Sequence, residues 1–233
     1  YGDHRDLHSF PTRRSSHLKL VFEPGERYEY SNPAYNGLAL IIEKVSGRKW
    51  QEFISDRIFR PAGMMTSTIT DGPHPEAGVS HGYEMVDGKW TESDYGEFPT
   101  FPAAGNGGVW SSVTELALYE KAIRENLFLG RELTEKSRTI CRPETWADTV
   151  PPFIGYSWFI GEDQVLGKKN KYGERFVYHT GDQGGFRAFY FSVPARDLLF
   201  VGLFNRPPEN LNRIMTTGLE ELRKNNWLEQ GTH

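Results

Sequence analysis

Residues 175–206, "RFVYHTGDQGGFRAFYFSVPARDLLFVGLFNR", decide the fold of this 233-residue chain, because they hold three apolar runs typical of strands. The turn residues Pro194 to Asp197 separate two of these runs and predict a hairpin. A further strand is expected shortly before them, at residues 155–161, "GYSWFIG". Successive strands joined by short turns favour an antiparallel sheet.

Helical periods precede this strand-rich third. A first helix is expected with Asn32 as its N-cap, Pro33 at its first position and Gly47 as its C-cap. Its predicted core face has four apolar residues at helical spacing: Leu38, Ile41, Ile42 and Val45. A second helix is predicted to stop at Pro61 and to bury a stripe of four residues: Trp50, Phe53, Ile54 and Ile58.

Two more helices and a hairpin complete the predicted layout. Asp87-Gly88 predicts a hairpin turn, and Ser112 with Glu115 predicts a capping box. The helix after Ser112 should turn three residues inward: Leu116, Tyr119 and Ile123. The final helix should bury an apolar stripe after Pro207-Pro208: Leu211, Ile214, Met215, Leu219 and Leu222. Strands grouped together with helices at either end predict an α+β fold, an antiparallel sheet flanked by helices, over residues 19–233 as part of one domain.

Composition excludes some functions. The formal net charge of −4 gives no bulk field for nucleic acid or an anionic membrane. No apolar run approaches the roughly 18 residues of a membrane span. Cys141 is the single cysteine, so an internal disulfide is excluded. The basic stretch "GKKNKYG" at residues 167–173 is typical of a solvated loop.

Residues 1–18, "YGDHRDLHSFPTRRSSHL", show neither helical period nor strand alternation. Tyr1 to Ser16 can be back-translated codon by codon into a common sequencing-library adapter. We therefore expect residues 1–18 to be an artefact of sequence assembly, with genuine sequence from about Lys19. The alternative is a real, disordered basic arm.

Two short motifs lie far apart in the sequence. The first is "YSN", Tyr30 to Asn32, at the entry to the first helix, and the second is "HTG", His179 to Gly181, at a strand end. A tyrosine within hydrogen-bond reach can take the proton of a serine nucleophile. Taken alone, however, Asn32 is as well explained as a helix cap, and His179 as a strand-end histidine bonded to a carbonyl.

Together with their surroundings these motifs resemble the penicillin-recognising serine hydrolases, that is class C β-lactamases, D-alanyl-D-alanine carboxypeptidases and related esterases. The resemblance covers residues 20–227 and rests on five stretches in order: "FEPGERYEYSN", "IIEKVSG", "IFRPAGM", "GNGGVWSS" and "HTGDQGGFR". That family joins a Ser-x-x-Lys nucleophile to a Tyr-x-Asn motif and a Lys-Thr-Gly-like strand. The resemblance implies a β-lactamase/transpeptidase-like fold, a peptide or small-molecule substrate, acyl-enzyme chemistry without a cofactor, and a periplasmic or secreted location.

The resemblance also assigns roles. Tyr30 passes the proton to the leaving group, and the Asn32 amide orients the acyl side chain of the substrate. His179 lines the pocket. Thr180 and Gly181 form the strand edge along which the substrate lies, and the Asp182 N–H is one donor of the oxyanion hole.

The nucleophile is not among these residues. Ser16-x-x-Lys19 lies in the expected artefact, and Ser46-x-x-Lys49 follows the Tyr-x-Asn motif, whereas the family's nucleophile precedes that motif by many tens of residues. We therefore expect a fragment that is incomplete at its N-terminus and inactive by itself. His179 stands where typical β-lactamases carry lysine, and a mostly neutral imidazole attracts a substrate carboxylate less, so efficient β-lactam hydrolysis is not expected.

Two other classes of function stay open. One is a non-catalytic binding or regulatory module that keeps the fold. The other is a metal hydrolase. This interpretation is less favoured, because His74 and His81 lack metal-ligand spacing and accompanying carboxylates. The sequence predicts no metal ligand.

Overall fold

A computed structural model of the chain describes residues 19–70, 74–75, 77–94, 105–142 and 154–228. The chain divides into two units, residues 1–30 with 142–151 and residues 31–141 with 152–233. Residues 1–18, which were expected to be an assembly artefact, lie outside the described residues. The single domain predicted for residues 19–233 stays a prediction. None of the helices in the described ranges is long and apolar enough to cross a membrane.

All regular elements named here lie in the second unit. The helices are α1 (Asn32–Ser46), α2 (Trp50–Ile54), α3 (Arg60–Ala62), α4 (Val113–Arg124), α5 (Arg131–Ser137) and α6 (Leu211–Lys224), with a π-helical turn at Ser55–Phe59. The strands are β1 (Thr68–Ile69), β2 (Tyr83–Val86), β3 (Lys89–Glu92), β4 (Val109–Trp110), β5 (Phe159–Gly161), β6 (Gln164–Val165), β7 (Lys168–Lys169), β8 (Phe176–Gln183), β9 (Phe186–Val193) and β10 (Leu198–Phe204).

The main sheet has the order β10-β9-β8-β5, and every neighbouring pair is antiparallel. This confirms the predicted fold class. The β9–β10 connection is a short 3₁₀ turn, Pro194–Arg196, followed by Asp197 in the left-handed region with φ 52°. Proline fixes the φ of the turn and aspartate tolerates a positive φ, which is why this hairpin was predictable.

One face of the sheet is covered by α6. Met215 and Leu219 of this helix are almost completely buried against Phe176 and Phe191, which come from neighbouring strands. The aromatic rings of Tyr178 and Phe191 are stacked with their centroids 4.8 Å apart. The predicted stripe of the last helix is confirmed for Leu211, Met215, Leu219 and Leu222, which pack in this core, because the 3.6-residue period matches the helix that forms. The prediction is wrong for Ile214, which is 37% exposed.

Helix α1 differs from the expectation at its start. The N-cap is Ser31, whose Oγ accepts a hydrogen bond from the N–H of Ala34, and Asn32 is the first helical residue. Serine and asparagine are comparable N-cap residues, so the sequence alone could not show which of Ser31 and Asn32 caps the helix. The C-cap at Gly47 is confirmed, with φ 69°.

The buried face of α1 also differs. Ala39 is buried and Ile42 half-buried in a cluster with Trp50 and Phe59. The other apolar residues predicted for that face are 50–83% exposed: Leu38, Ile41 and Val45. Helical structure continues past the predicted stop at Pro61 as far as Ala62. Pro61 lies in the first turn of the short helix α3, where the missing N–H of a proline is tolerated.

The predicted hairpin at Asp87-Gly88 is present, with both residues at positive φ between β2 and β3. Its base lies against the turn between β8 and β9. The N–H of Gly185 donates to the Ser93 carbonyl at 2.6 Å. A Cβ on Gly185 would overlap the backbone of Gly82, so only glycine fits this contact.

Helix α4 begins as predicted, with Ser112 Oγ accepting from the N–H of Glu115 at 3.2 Å. The Glu115 carboxylate, predicted to complete a capping box, accepts instead from the Thr66 N–H at 2.7 Å and from the Ser67 hydroxyl. The three residues predicted to face inward are half-buried. Buried on this helix are Ala122 and, unexpectedly, the two glutamates Glu115 and Glu120.

Candidate active site

The far end of β8, residues 179–183, pairs on one side only among the residues that the structure describes. It pairs with β9 up to Gln183 and Phe186, whereas β5 accompanies β8 no further than Tyr178. Gln183 and Phe186 close a two-residue turn, so these two residues exchange backbone hydrogen bonds with each other. From this pair onward, hydrogen-bonded and non-hydrogen-bonded residue pairs alternate along β8 and β9. This alternation directs the N–H of Asp182 and the carbonyl of Thr180 to the outer edge.

His179 lies at this edge. Its Nδ1–H donates to the Thr180 carbonyl at 2.6 Å, a bond that fixes the tautomer with Nε2 unprotonated. The imidazole is stacked on Phe159, with ring centroids 5.0 Å apart and an interplanar angle of 16°. Burial lowers the pKa of His179, and the bond to Thr180 opposes this only in part. The imidazole is therefore neutral at pH 7.

The strand edge carries little side-chain bulk. Gly181 is exposed, and a Cβ there would touch only Ala188, at 3.4 Å. The Asp182 side chain is 73% exposed and forms an ion pair of 2.8 Å with Arg187 on β9. Backbone groups of β8 are thus accessible to an extended ligand, which can add to a sheet edge by main-chain hydrogen bonds.

A buried ionic network supports this edge from β9. Arg138 donates to both carboxylate oxygens of Glu120, at 2.8 and 2.7 Å. The same carboxylate accepts from the hydroxyls of Tyr190 and Ser192. Tyr190 is the cross-strand partner of His179. Sequence analysis missed the network because its two charges are separated by 18 residues and lie on different helical segments.

Burial by itself raises the pKa of Glu120, but the hydrogen bonds and charge of Arg138 outweigh it, so the pKa lies below its usual value. The carboxylate is therefore ionised beside the arginine. A bidentate pair of this kind holds α4 and the end of α5 in a fixed position against β9.

The start of α1 is tied to loops beside β8. Asn36 Oδ1 accepts from the N–H of Asn106 at 3.1 Å. In the same loop, a Cβ on Gly107 would lie 2.7 Å from Oε1 of Gln183, the last residue of β8. Asn32, one helical turn before Asn36, is exposed. The helix that carries Asn32 is thus linked to the strand that carries His179 through residues 105–107.

A second link involves Tyr35, whose hydroxyl accepts from Ser157 at 2.6 Å. Ser157 and Trp158 lead into β5, and the Trp158 ring lies against Tyr190, with centroids 5.4 Å apart. Within the second unit, helix α1 and the strand that carries His179 are therefore connected through residues 105–107 and 157–158.

Tyr30 belongs to the other unit and is 54% exposed. Within that unit the Arg27 guanidinium lies over the Phe22 ring, 4.6 Å from its centroid. The prediction that Tyr30, Asn32 and His179 face one cleft stays a prediction.

Of the two Ser-x-x-Lys strings, Ser16 lies outside the described residues. Ser46 is the last residue of α1, and its Oγ accepts from the N–H of Arg48 at 3.2 Å. Lys49 is the N-cap of α2. The hydroxyl thus forms part of a turn between two helices.

The statement that His74 and His81 lack a carboxylate is wrong. Asp94 Oδ2 lies 3.0 Å from His81 Nδ1 and 3.7 Å from His74 Nε2. The hydrogen bond to Asp94 raises the pKa of His81. Asp94 comes from the far side of the β2–β3 hairpin, and a search for local ligand spacing does not include such a residue.

The sequence profile of the Beta-lactamase family matches residues 3–222. The D-alanyl-D-alanine-carboxypeptidase/endopeptidase AmpH of Escherichia coli (strain K12) is 26% identical over 94% of this chain and 57% of its own length. A D-aminopeptidase of Cereibacter sphaeroides (strain ATCC 17023) is 28% identical over 83% of this chain and 36% of its own length.

Among solved structures, the octameric penicillin-binding protein homologue from Pyrococcus abyssi superposes with a TM-score of 0.71 and 27% identity, over 88% of this chain and 44% of that one. The chain thus spans between about a third and three fifths of the lengths of these relatives.

Proposed function

Since the chain belongs to the β-lactamase family of penicillin-recognising serine hydrolases, we propose that it supplies the substrate-binding edge and part of the proton-transfer apparatus of an acyl-transfer hydrolase. The observation that carries the proposal is the one-sided end of β8, where Asp182 directs its N–H outward on the strand that also carries the neutral, stacked His179. The substrates proposed are peptide amides or small esters.

In this proposal the substrate lies along residues 179–182 as an added strand. The Asp182 N–H stabilises the oxyanion that develops on the acyl carbonyl during attack. Asn32 orients the acyl side chain from the start of α1. Tyr30 takes the proton of the nucleophile and passes it to the leaving group, which is general acid–base catalysis by a single phenol.

The nucleophile in this proposal comes from outside residues 19–233. Support comes from the exposed apolar stripe on α1, which has four members at helical spacing: Tyr35, Leu38, Ile41 and Val45. An apolar stripe of this kind is typically covered by another segment. We propose that the nucleophile-bearing helix covers it, since the relatives extend well beyond the length of this chain.

The neutral state of His179 favours some substrates over others. A lysine at this position would be positively charged and would attract a substrate carboxylate. Burial lowers the pKa of His179 and keeps its imidazole uncharged at pH 7. Two relatives are named for the D-alanyl-D-alanine-carboxypeptidase and D-aminopeptidase activities. We therefore propose an amide next to a D-amino acid, rather than a β-lactam, as the preferred substrate.

The test uses the gene product extended upstream of Lys19 by the sequence that precedes it in the genome. The extended protein should hydrolyse a D-alanine p-nitroanilide faster than the L-isomer and much faster than the β-lactam nitrocefin. The 233-residue chain serves as the matched control and should be inactive on all three. An extended protein that folds, lacks a Ser-x-x-Lys motif and is inactive would favour the non-catalytic module instead.

A further inference from the structure

Four side chains with metal-binding atoms meet at the base of the β2–β3 hairpin. They are His74, His81, Glu92 and Asp94, and none takes part in the proposed acyl transfer. One ligand atom from each of His74, His81 and Asp94 lies within 4.8 Å of the other two. Glu92 Oε1 lies 3.4 Å from His81 Nδ1.

The Asp94 carboxylate is oriented by the backbone. Its Oδ1 accepts from the N–H of Gly82 at 2.7 Å, and its side chain is 8% exposed. Oδ2 therefore faces the two histidines, 3.0 Å from His81 Nδ1 and 3.7 Å from His74 Nε2. A buried carboxylate with one oxygen held by the backbone keeps the other oxygen directed at a fixed point.

His74 is oriented in the manner usual for a metal-binding histidine. Its Nδ1 lies 2.8 Å from the carbonyl of Pro75. Nδ1–H must donate this hydrogen bond, so Nε2 is the nitrogen whose lone pair can bind a metal. Nε2 also lies 3.4 Å from the Ser80 carbonyl, which adds another oxygen to the site. The edge of Trp110 covers the ring, with centroids 4.8 Å apart.

His81 completes the set and provides access. Its ring is stacked on His74 with centroids 4.3 Å apart, and its side chain is 48% exposed. Zn²⁺ with bonds of about 2.0–2.2 Å places its ligand atoms roughly 3.3 Å apart. The two separations to Asp94 Oδ2, 3.0 and 3.7 Å, are close to this value. The three ligand atoms together span up to 4.8 Å, so a shared ion requires the half-exposed His81 ring to move closer to His74.

From this geometry we propose a Zn²⁺ site formed by His74 Nε2, His81 Nδ1 and Asp94 Oδ2, with Glu92 or the Ser80 carbonyl as the fourth ligand. Two imidazole nitrogens with carboxylate oxygen form a donor set that suits Zn²⁺ better than Mg²⁺ or Ca²⁺. The ion would join residues 74–81 to the end of the hairpin.

The position of the site indicates a structural role. Gly82, next to His81, is in contact with Phe186 and Gly185 at the turn that follows β8. A metal bound by His74, His81 and Asp94 would therefore stabilise the turn between β8 and β9, at the end of the candidate substrate-binding strand β8. The proposal does not depend on acyl transfer, because it needs no nucleophile and no substrate.

The experiment is a Zn²⁺ titration of the metal-stripped 233-residue chain by isothermal calorimetry, followed by Co²⁺ absorption spectra. We expect one Zn²⁺ per chain, a rise in melting temperature on binding, and the visible bands of tetrahedral Co²⁺. The variants His81→Ala and Asp94→Asn should each weaken binding by about 10–100-fold, the scale measured for perturbed metal sites.

His81→Ala is the decisive variant, since its side chain is half-exposed and its loss leaves the bond between Asp94 and Gly82 intact. The matched control replaces His4, His8 and His17 with alanine, which removes the other closely spaced histidines of the chain. This control should bind Zn²⁺ as the parent does. The proposal is overturned if the control abolishes binding, if His81→Ala binds with unchanged affinity while melting as a folded protein, or if the parent does not bind.

Discussion

Replacing Glu120 with alanine should destabilise the second unit more than any surface change. The variant leaves Arg138, whose side chain is 6% exposed, as a buried cation without its carboxylate. Breaking a buried ion pair from one side costs about 3–5 kcal/mol. The hydroxyls of Tyr190 and Ser192 lose their acceptor as well, but these effects overlap with the first and do not add to it.

The assay is urea unfolding followed by tryptophan fluorescence, because Trp158 lies against both Arg138 and Tyr190. With a urea m-value of about 2–3 kcal/mol/M, the expected loss lowers the unfolding midpoint by roughly 1–2.5 M. The folded-state pKa of Glu120 lies below its unfolded value. The stabilisation that ionised Glu120 gives the folded chain is thus fully present above its unfolded-state pKa and is lost as the pH falls through its folded-state pKa. The free energy of unfolding of the Glu120→Ala variant should lack this pH dependence.

Two comparisons make the prediction specific. Glu135→Ala removes an exposed partner of Arg131, and the midpoint should stay within experimental error. The double variant Glu120→Leu/Arg138→Met should recover much of the lost stability, since an apolar pair of similar volume replaces two buried charges. A Glu120→Ala loss below about 1 kcal/mol would refute the argument that this pair anchors α4 to β9.

Three further predictions concern the candidate site and the segment proposed to cover α1. In the extended protein, Tyr30→Phe should lower kcat by about 10²–10⁴, the usual contribution of a general acid–base group, and an unchanged kcat would remove Tyr30 from the mechanism. His179→Lys should raise the kcat/KM ratio of a substrate with a free carboxylate to its amide by about tenfold, because the lysine supplies a charge-assisted hydrogen bond; an unaltered ratio would contradict the role given to the neutral imidazole. Ile41→Asn should leave the urea midpoint of the 233-residue chain unchanged but cost the extended protein about 1–3 kcal/mol, and equal effects in both would show that α1 has no covering segment.

Local patterns were enough to predict most of the sheet. The strand alternation of residues 175–206 and the turn at Pro194 to Asp197 depend on neighbours in sequence, so the β8–β9–β10 order followed from them. The α1 face was misjudged because periodicity identifies an apolar stripe without saying what covers it. Ile41 belongs to such a stripe and is 56% exposed.

The parts of the site that depend on distant residues were not predictable. The Glu120–Arg138 pair and the approach of Asp94 to His81 arise only when separate elements pack together. A buried glutamate inside an amphipathic helix gives no local signal that distinguishes it from a solvated one. The motif at His179 was found by its resemblance to a family, whereas its neutral state depends on burial and stacking in the folded chain.

The most direct test of the central claim is peptide mapping of the extended protein after reaction with a fluorophosphonate probe. We expect a single adduct, on the serine of a Ser-x-x-Lys motif upstream of Lys19, and none when the 233-residue chain is treated alone. An adduct on Ser46 in either protein, or a folded extended protein that forms no adduct, would contradict the claim that this chain provides one half of an acyl-transfer site.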